Sequence, residues 1–122
     1  MTEERDQRRA MDFIGYNHLL LHCISEYPTP LEHMNIGDVA RLDGLSDHSL
    51  SLITGALATL LGAKLVEKHF SFNNWGKDAN VSLNPEQLKI YIQNIRDTEK
   101  AMRITPRPTE IEKENLKDFW TL

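Results

Sequence analysis

The sequence predicts an α/β fold built on a parallel sheet, and three observations carry that prediction. Short, nearly continuous apolar runs alternate with stretches of helical periodicity, in the order helix, strand, helix, strand, helix, strand, helix. A polar, turn-rich loop follows each well-marked strand, and in sheets made of βαβ units ligands sit where strands end. The most strand-like stretch, Ala63 to Phe70, places Glu67 and His69 on one face together with Leu65.

Taken in order, residues 2–16 are charged, with apolar positions only toward the end at Ala10, Met11, Phe13 and Ile14. This predicts a surface helix docked by its last turn, stopped by Gly15 and Asn17. His18 to Ile24 reads as a strand covered on both faces. Pro28 and Pro30 prevent regular pairing after it, so Ser25 to Pro30 is a loop at a strand's carboxyl end. A short helix fits Ile36 to Arg41, and Gly44-Leu45-Ser46 stands where the alternation expects a second strand. Leu52, Ile53, Ala56, Leu57, Leu60 and Leu61 form a helical stripe. Gly62 closes it, at a position where glycine adopts a left-handed backbone without strain. Ala63 to Phe70 has the length and the β-branched and aromatic content of a buried strand, and the polar segment Ser71 to Ser82 is the loop after it. Asn84, Pro85 and Gln87 supply an N-cap, a first-turn proline and a capping-box glutamine. Leu88, Tyr91, Ile92, Ile95 and Met102 mark the buried face of the helix that follows. A last helix fits Thr109 to Phe119.

At 122 residues, 40% apolar and 26% charged, the chain has ordinary globular composition for one domain. A net charge of −4 gives no diffuse basic field, so nucleic acid is not an expected partner. Cys23 is the only cysteine; no intrachain disulfide can form, a reducing compartment is expected, and its apolar neighbours suggest a small core residue. The first nine residues lack a signal-peptide core and no apolar run reaches membrane-span length, so the expectation is a cytoplasmic chain with no membrane partner. Ionisable groups on a buried strand must be paired or bound to a metal. At this stage Glu67 and His69 fit either a structural ion pair or a ligand site.

Three segments then occur in order: His22-Cys23-Ile24-Ser25-Glu26-Tyr27-Pro28-Thr29-Pro30, Gly44-Leu45-Ser46-Asp47-His48-Ser49, and Gly62-Ala63-Lys64-Leu65-Val66-Glu67-Lys68-His69-Phe70. With Gly76-Lys77-Asp78 and Ser82-Leu83-Asn84-Pro85 they resemble the sialic acid synthase family, the N-acetylneuraminate synthases and their legionaminate and pseudaminate relatives. The resemblance spans nearly the whole chain, the tail excepted. It implies the C-terminal portion of a (β/α)8 barrel, with these strands as the sixth, seventh and eighth, residues 1–105 as barrel and 106–122 as a tail. It also implies condensation of phosphoenolpyruvate with an N-acylhexosamine, commonly N-acetylmannosamine, to a nine-carbon 2-keto-3-deoxy acid and phosphate, assisted by Mn2+ or Mg2+. By position, His48 and His69 match the two metal-binding histidines. Ser25, Tyr27 and Ser46 match positions at the phosphoenolpyruvate site, and Asp78 matches the aspartate on the acceptor sugar. Strand parity agrees: Ser46 with His48, and Glu67 with His69, can all face one barrel axis, with Glu67 a layer below as a supporting catalytic group. Lys68 and Asp47 alternate to the helix side, Lys68 as a structural group and Asp47 as a hydrogen-bonding anchor for a neighbouring loop. His18, His22 and His33 read as structural or surface groups. Trp75 either shields the site or fills a surface hollow.

The chain departs from that family in lacking the five earlier strands and the small C-terminal domain of many members. The span from Pro30 to Gly44 is short, and Lys77 stands where proline is common beside Asp78. Two functions remain open: part of a synthase that needs the missing barrel half, or an inactive relic or metal-binding scaffold that self-associates through open sheet edges.

Overall fold

The structure, a computed structural model, describes residues 4–15, 17–103 and 109–120. Its centre is a three-stranded parallel sheet in the order β1 (Leu21–Cys23), β2 (Gly44–Asp47) and β3 (Leu65–Lys68). All three expected strands form, β1 and β3 shorter than their apolar runs. The crossover from β1 to β2 uses 3-10 helices at Leu31–His33 and Ile36–Arg41, the second replacing the expected short helix. A 3-10 helix rises about 2.0 Å per residue against about 1.5 Å in an α-helix, so a short connection still spans the strand length. From β2 to β3 the chain returns through α2 (Thr54–Leu60), which packs against α3 (Pro85–Ala101). The expected caps are present: Gly62 takes φ +95°, and Asn84 and Gln87 form a reciprocal capping box.

Register decides the two faces. Cys23, Ser46 and Glu67 share one rung; His22, Leu45 and Val66 share the next, with alternate side chains on opposite sides. Gly44 begins β2 because a Cβ there would stand 1.9 Å from the Leu65 carbonyl oxygen. On the helix side Leu45 packs with Met34, Val39 and Ala58, flanked by Ile36, Leu61, Ala63 and Val66. His22 is buried there too, and its Nε2 donates to the Met34 carbonyl at 2.8 Å.

The other face is open, and this corrects several expectations. β3 is not a buried strand: Leu65 and Glu67 are exposed, because the helices cover only one side of the sheet. Cys23 is exposed for the same reason and is no core residue. On α3, Tyr91 is buried and Leu88 and Ile95 partly so, whereas Ile92 and Met102 are exposed. The last turn of α1 (Glu4–Ile14) is not docked, since Phe13 is 94% exposed. The final helix, α4, runs Glu110–Trp120, capped by Thr109 and Glu112; 106–108 and 121–122 of the expected tail lie outside the described residues. Among the described residues no helix is long and apolar enough to cross a membrane.

On the covered side a single carboxylate ties the elements together. Asp47 is fully buried; its Oδ2 accepts from Thr54 Oγ1, from Tyr91 OH at 2.8 Å and from Lys68 Nζ at 3.1 Å, and its Oδ1 accepts from the Ser49 amide and hydroxyl. Burial pulls the Asp47 pKa upward, but the hydrogen bonds from Thr54 and Ser49 and the Lys68 charge outweigh it and hold the carboxyl below its ordinary range. Burial pushes the Lys68 ammonium below its usual value, against the attraction of Asp47. Burial, then the Asp47 charge, drives the Tyr91 phenol well above its usual range.

Two predictions follow from this packing. A Cβ on Gly55 would meet the Tyr91 ring at 2.6 Å and push the phenol off Asp47, so Gly55→Ala is expected to destabilise the chain by about 1–3 kcal/mol, beyond any helix-propensity gain. A lowered thermal midpoint with unchanged helix content checks this. Because the folded phenol stays neutral while an unfolded one ionises near its ordinary value of 10.0, the contribution of Tyr91 is intact below that pH and lost progressively above it. Urea midpoints at pH 8 and pH 11 should differ less in Tyr91→Phe than in the parent; an equal difference in both would refute the assignment.

Candidate active site

The open face carries the candidate chemistry at the carboxyl ends of β2 and β3. One rung down, Ser46 Oγ donates to Glu67 Oε1 at 2.6 Å, with Ser46 buried and Glu67 exposed. One residue past each strand stand His48 and His69, and their ring centroids are 5.1 Å apart at an interplanar angle of 47°. Their backbones are tied to the neighbouring loops: the His48 carbonyl accepts from Thr29 N and the His69 carbonyl from Leu83 N, each at 3.0 Å. The Tyr27 ring stacks obliquely on His48 with centroids 4.3 Å apart. Asp78 Oδ2 lies 3.9 Å from His69 Nδ1, an ion-pair distance rather than a hydrogen bond.

The structure therefore brings Tyr27, His48, His69 and Asp78 into one row, with Ser46 and Glu67 as a bonded pair beneath. Ser25 stays exposed on the loop after β1, without a described partner in that row. Trp75 is 85% exposed, so it fills no hollow. His33 pairs on the surface with Glu26 at 2.9 Å. Cys23 is the group that sequence reasoning missed: its Sγ is 3.7 Å from His48 Nδ1. The signal was alternation along β1, which puts Cys23 on the face opposite His22, hidden by the apolar neighbours that made the run look covered on both sides.

The residues fit a divalent cation in part. An imidazole bound through nitrogen at about 2.1 Å places its ring centre about 3.2 Å from the ion. Two such rings around one ion have centres about 4.5 Å apart at a right angle and about 5.2 Å at the tetrahedral angle. The observed 5.1 Å falls within that range. Nδ1 of each ring faces a partner in the chain, Cys23 for His48 and Asp78 for His69, which leaves Nε2 of each as the nitrogen available to a ligand. Among the described residues no group of three His, Cys, Asp or Glu side chains is placed to hold a metal ion, so the chain offers two ligands of an incomplete set.

Comparison with known proteins bears on this arrangement. The NeuB family model matches residues 1–105. The chain is 40% identical over 95 residues to the N,N'-diacetyllegionaminic acid synthase of Campylobacter jejuni, a match covering 70% of this chain and 28% of that protein. It is 32% identical over 122 residues to the N-acetylneuraminate-9-phosphate synthase of Drosophila melanogaster, covering 92% of this chain and 32% of the relative. The crystal structure of an N-acetylneuraminic acid (sialic acid) synthetase from Leptospira borgpetersenii superposes with a TM-score of 0.76 at 24% identity over 100% of this chain and 47% of the other. That likeness shows a shared fold. The chain thus spans about a third of the length of the curated relatives it matches. With the family model covering most of its length, the chain belongs to the NeuB family of sialic-type acid synthases.

Proposed function

We propose that the chain is the carboxyl-terminal portion of a (β/α)8 synthase barrel, with β1, β2 and β3 as its sixth, seventh and eighth strands. In this reading it contributes half of a cytoplasmic site that condenses phosphoenolpyruvate with an N-acylhexosamine such as N-acetylmannosamine. The enol carbon of phosphoenolpyruvate bonds to the sugar's aldehyde carbon, water adds at the former enol-phosphate carbon, and phosphate departs, leaving a nine-carbon 2-keto acid. The observation that carries the reading is the His48–His69 pair, side by side at the ends of adjacent parallel strands in a member of this family.

His48 and His69 are the residues that would hold a divalent cation. Two imidazoles favour Mn2+ over Mg2+, whose preferred ligands are oxygens. A cation held there supplies Lewis acidity toward the sugar's aldehyde oxygen. The remaining roles belong to the chain. Tyr27 covers one side of His48 and fixes the plane of its ring. Asp78, exposed beside His69, accepts hydrogen bonds from acceptor-sugar hydroxyls. Ser25 offers its hydroxyl to the phosphoenolpyruvate anion, and Ser46 does so by turning its one hydroxyl proton from Glu67 to the anion on binding. The open edges of β1 and β3 accept the polypeptide that supplies the other strands.

A second reading, a metal-binding scaffold that self-associates, is favoured by one observation: Phe70, Leu88 and Ile92 line an open apolar groove of about 400 Å3 between the end of β3 and α3.

Two measurements test these readings. Mn2+ titrated into the 122-residue chain should bind, and His48→Ala or His69→Ala should each weaken binding by at least about tenfold, about 1.4 kcal/mol. Unchanged affinity in both variants would remove the pair as ligands. Mixing the chain with a polypeptide carrying the first five strands, Mn2+, phosphoenolpyruvate and N-acetylmannosamine should release phosphate, and either histidine substitution should abolish it. No release with any such partner, together with concentration-dependent self-association, favours the scaffold.

A further inference from the structure

His48 and His69 stand one residue beyond the last rung of the β2–β3 ladder, which ends at Asp47 and Lys68. The ladder therefore holds their backbones side by side and leaves the rotation of the two rings to the groups packed around them. Their backbone carbonyls are bonded to different neighbours, Thr29 on the β1 side and Leu83 beyond β3, and those bonds hold each strand end to its own loop rather than to the other. What joins the two strand ends is on the opposite face. Lys68, immediately before His69, places its ammonium 3.1 Å from Asp47 Oδ2 and also donates to the Ser49 carbonyl. Asp47 and Ser49 are the two residues flanking His48. Asp47 Oδ1 in turn accepts from the Ser49 amide and hydroxyl, which closes a tight turn with His48 at its apex. The Lys68 side chain is 4% exposed and Asp47 is fully buried, so the clamp is dry and water does not compete for it.

We propose that Lys68 is a positioning residue for the imidazole pair. By gripping both neighbours of His48 from the residue that precedes His69, it sets the relative rotation and spacing of the two rings. The proposal rests on reading His48 and His69 as a shared ligand pair, and it assigns Lys68 a role beyond the purely structural one its parity suggests. Tyr91 and Thr54 also reach Asp47, from α3 and α2; their hydroxyls end on Asp47, and the Tyr91 ring, 5.4 Å from Lys68 Nζ, is kept in Tyr91→Phe. They stabilise the hub without setting the rotation of the two rings.

The test compares Lys68→Met with Tyr91→Phe in the 122-residue chain, using two readouts. One is the set of imidazole ring signals of His48 and His69 in metal-free NMR spectra, which report the mutual placement of the rings and of Tyr27. The other is Co2+ affinity. Both variants should lower the thermal midpoint, but only Lys68→Met should move both histidines' ring signals and weaken Co2+ binding by at least about tenfold. If Lys68→Met does not fold, Lys68→Gln, which keeps a shorter neutral donor, takes its place with the same expected outcome. Ring signals unchanged and affinity within twofold of the parent in the Lys68 variant would overturn the proposal, as would an equal disturbance from Tyr91→Phe. If the parent binds no Co2+ while the Lys68 variant still moves both ring signals, positioning stands and the shared-ion reading fails.

Discussion

The fold depends on one buried charge pair. Asp47 and Lys68 face each other across the last paired rung of β2 and β3, on the side that α2 and α3 cover. Taking a carboxylate and an ammonium out of water is unfavourable unless the remaining lone pairs and protons find partners, and here they do: Thr54, Tyr91 and Ser49 complete the shell of Asp47, and the Ser49 carbonyl accepts from Lys68. Removing one member of such a pair costs about 3–5 kcal/mol, a large share of the roughly 5–15 kcal/mol that holds a domain together. The hub is where β2, β3, α2 and α3 are made to agree.

Its consequences divide the sheet into two unlike faces. The covered face combines a small apolar core, from Met34, Val39, Leu45 and Ala58, with a fully bonded polar centre. The other face holds Cys23, Ser46 and Glu67 in one rung and the two imidazoles above it; Cys23 and Glu67 are exposed there, while Ser46 and His48 are buried. A face that an ordinary α/β domain would bury under helices is here polar and open, as the inside of a barrel is at its mouth.

The same asymmetry accounts for the exposed apolar groups. Leu65 is exposed on the open side of β3, and Phe70 at its end lines a groove with Ile92 of α3. The chain spans about a third of the length of the relatives it matches, and among the described residues the outer edges of β1 and β3 have no further strand beside them.

The sequence by itself determined the alternation of elements, the parallel sheet, the caps of α3 and the family, because these rest on local periodicity, on backbone chemistry at Gly62, Asn84, Pro85 and Gln87, and on motif order. By parity it also placed Ser46 with His48 on one side of β2, opposite Asp47, and Glu67 with His69 on one side of β3, opposite Lys68. Only the tertiary structure decided that the second side is left uncovered. An apolar run such as His18 to Ile24 has the same composition whether one face or two are packed, so Cys23 read as core and β3 as buried. Inter-strand register was equally out of reach, since it is fixed by contacts between residues about 20 apart in the chain; it alone placed Cys23 beside His48 and joined Lys68 to both neighbours of that histidine.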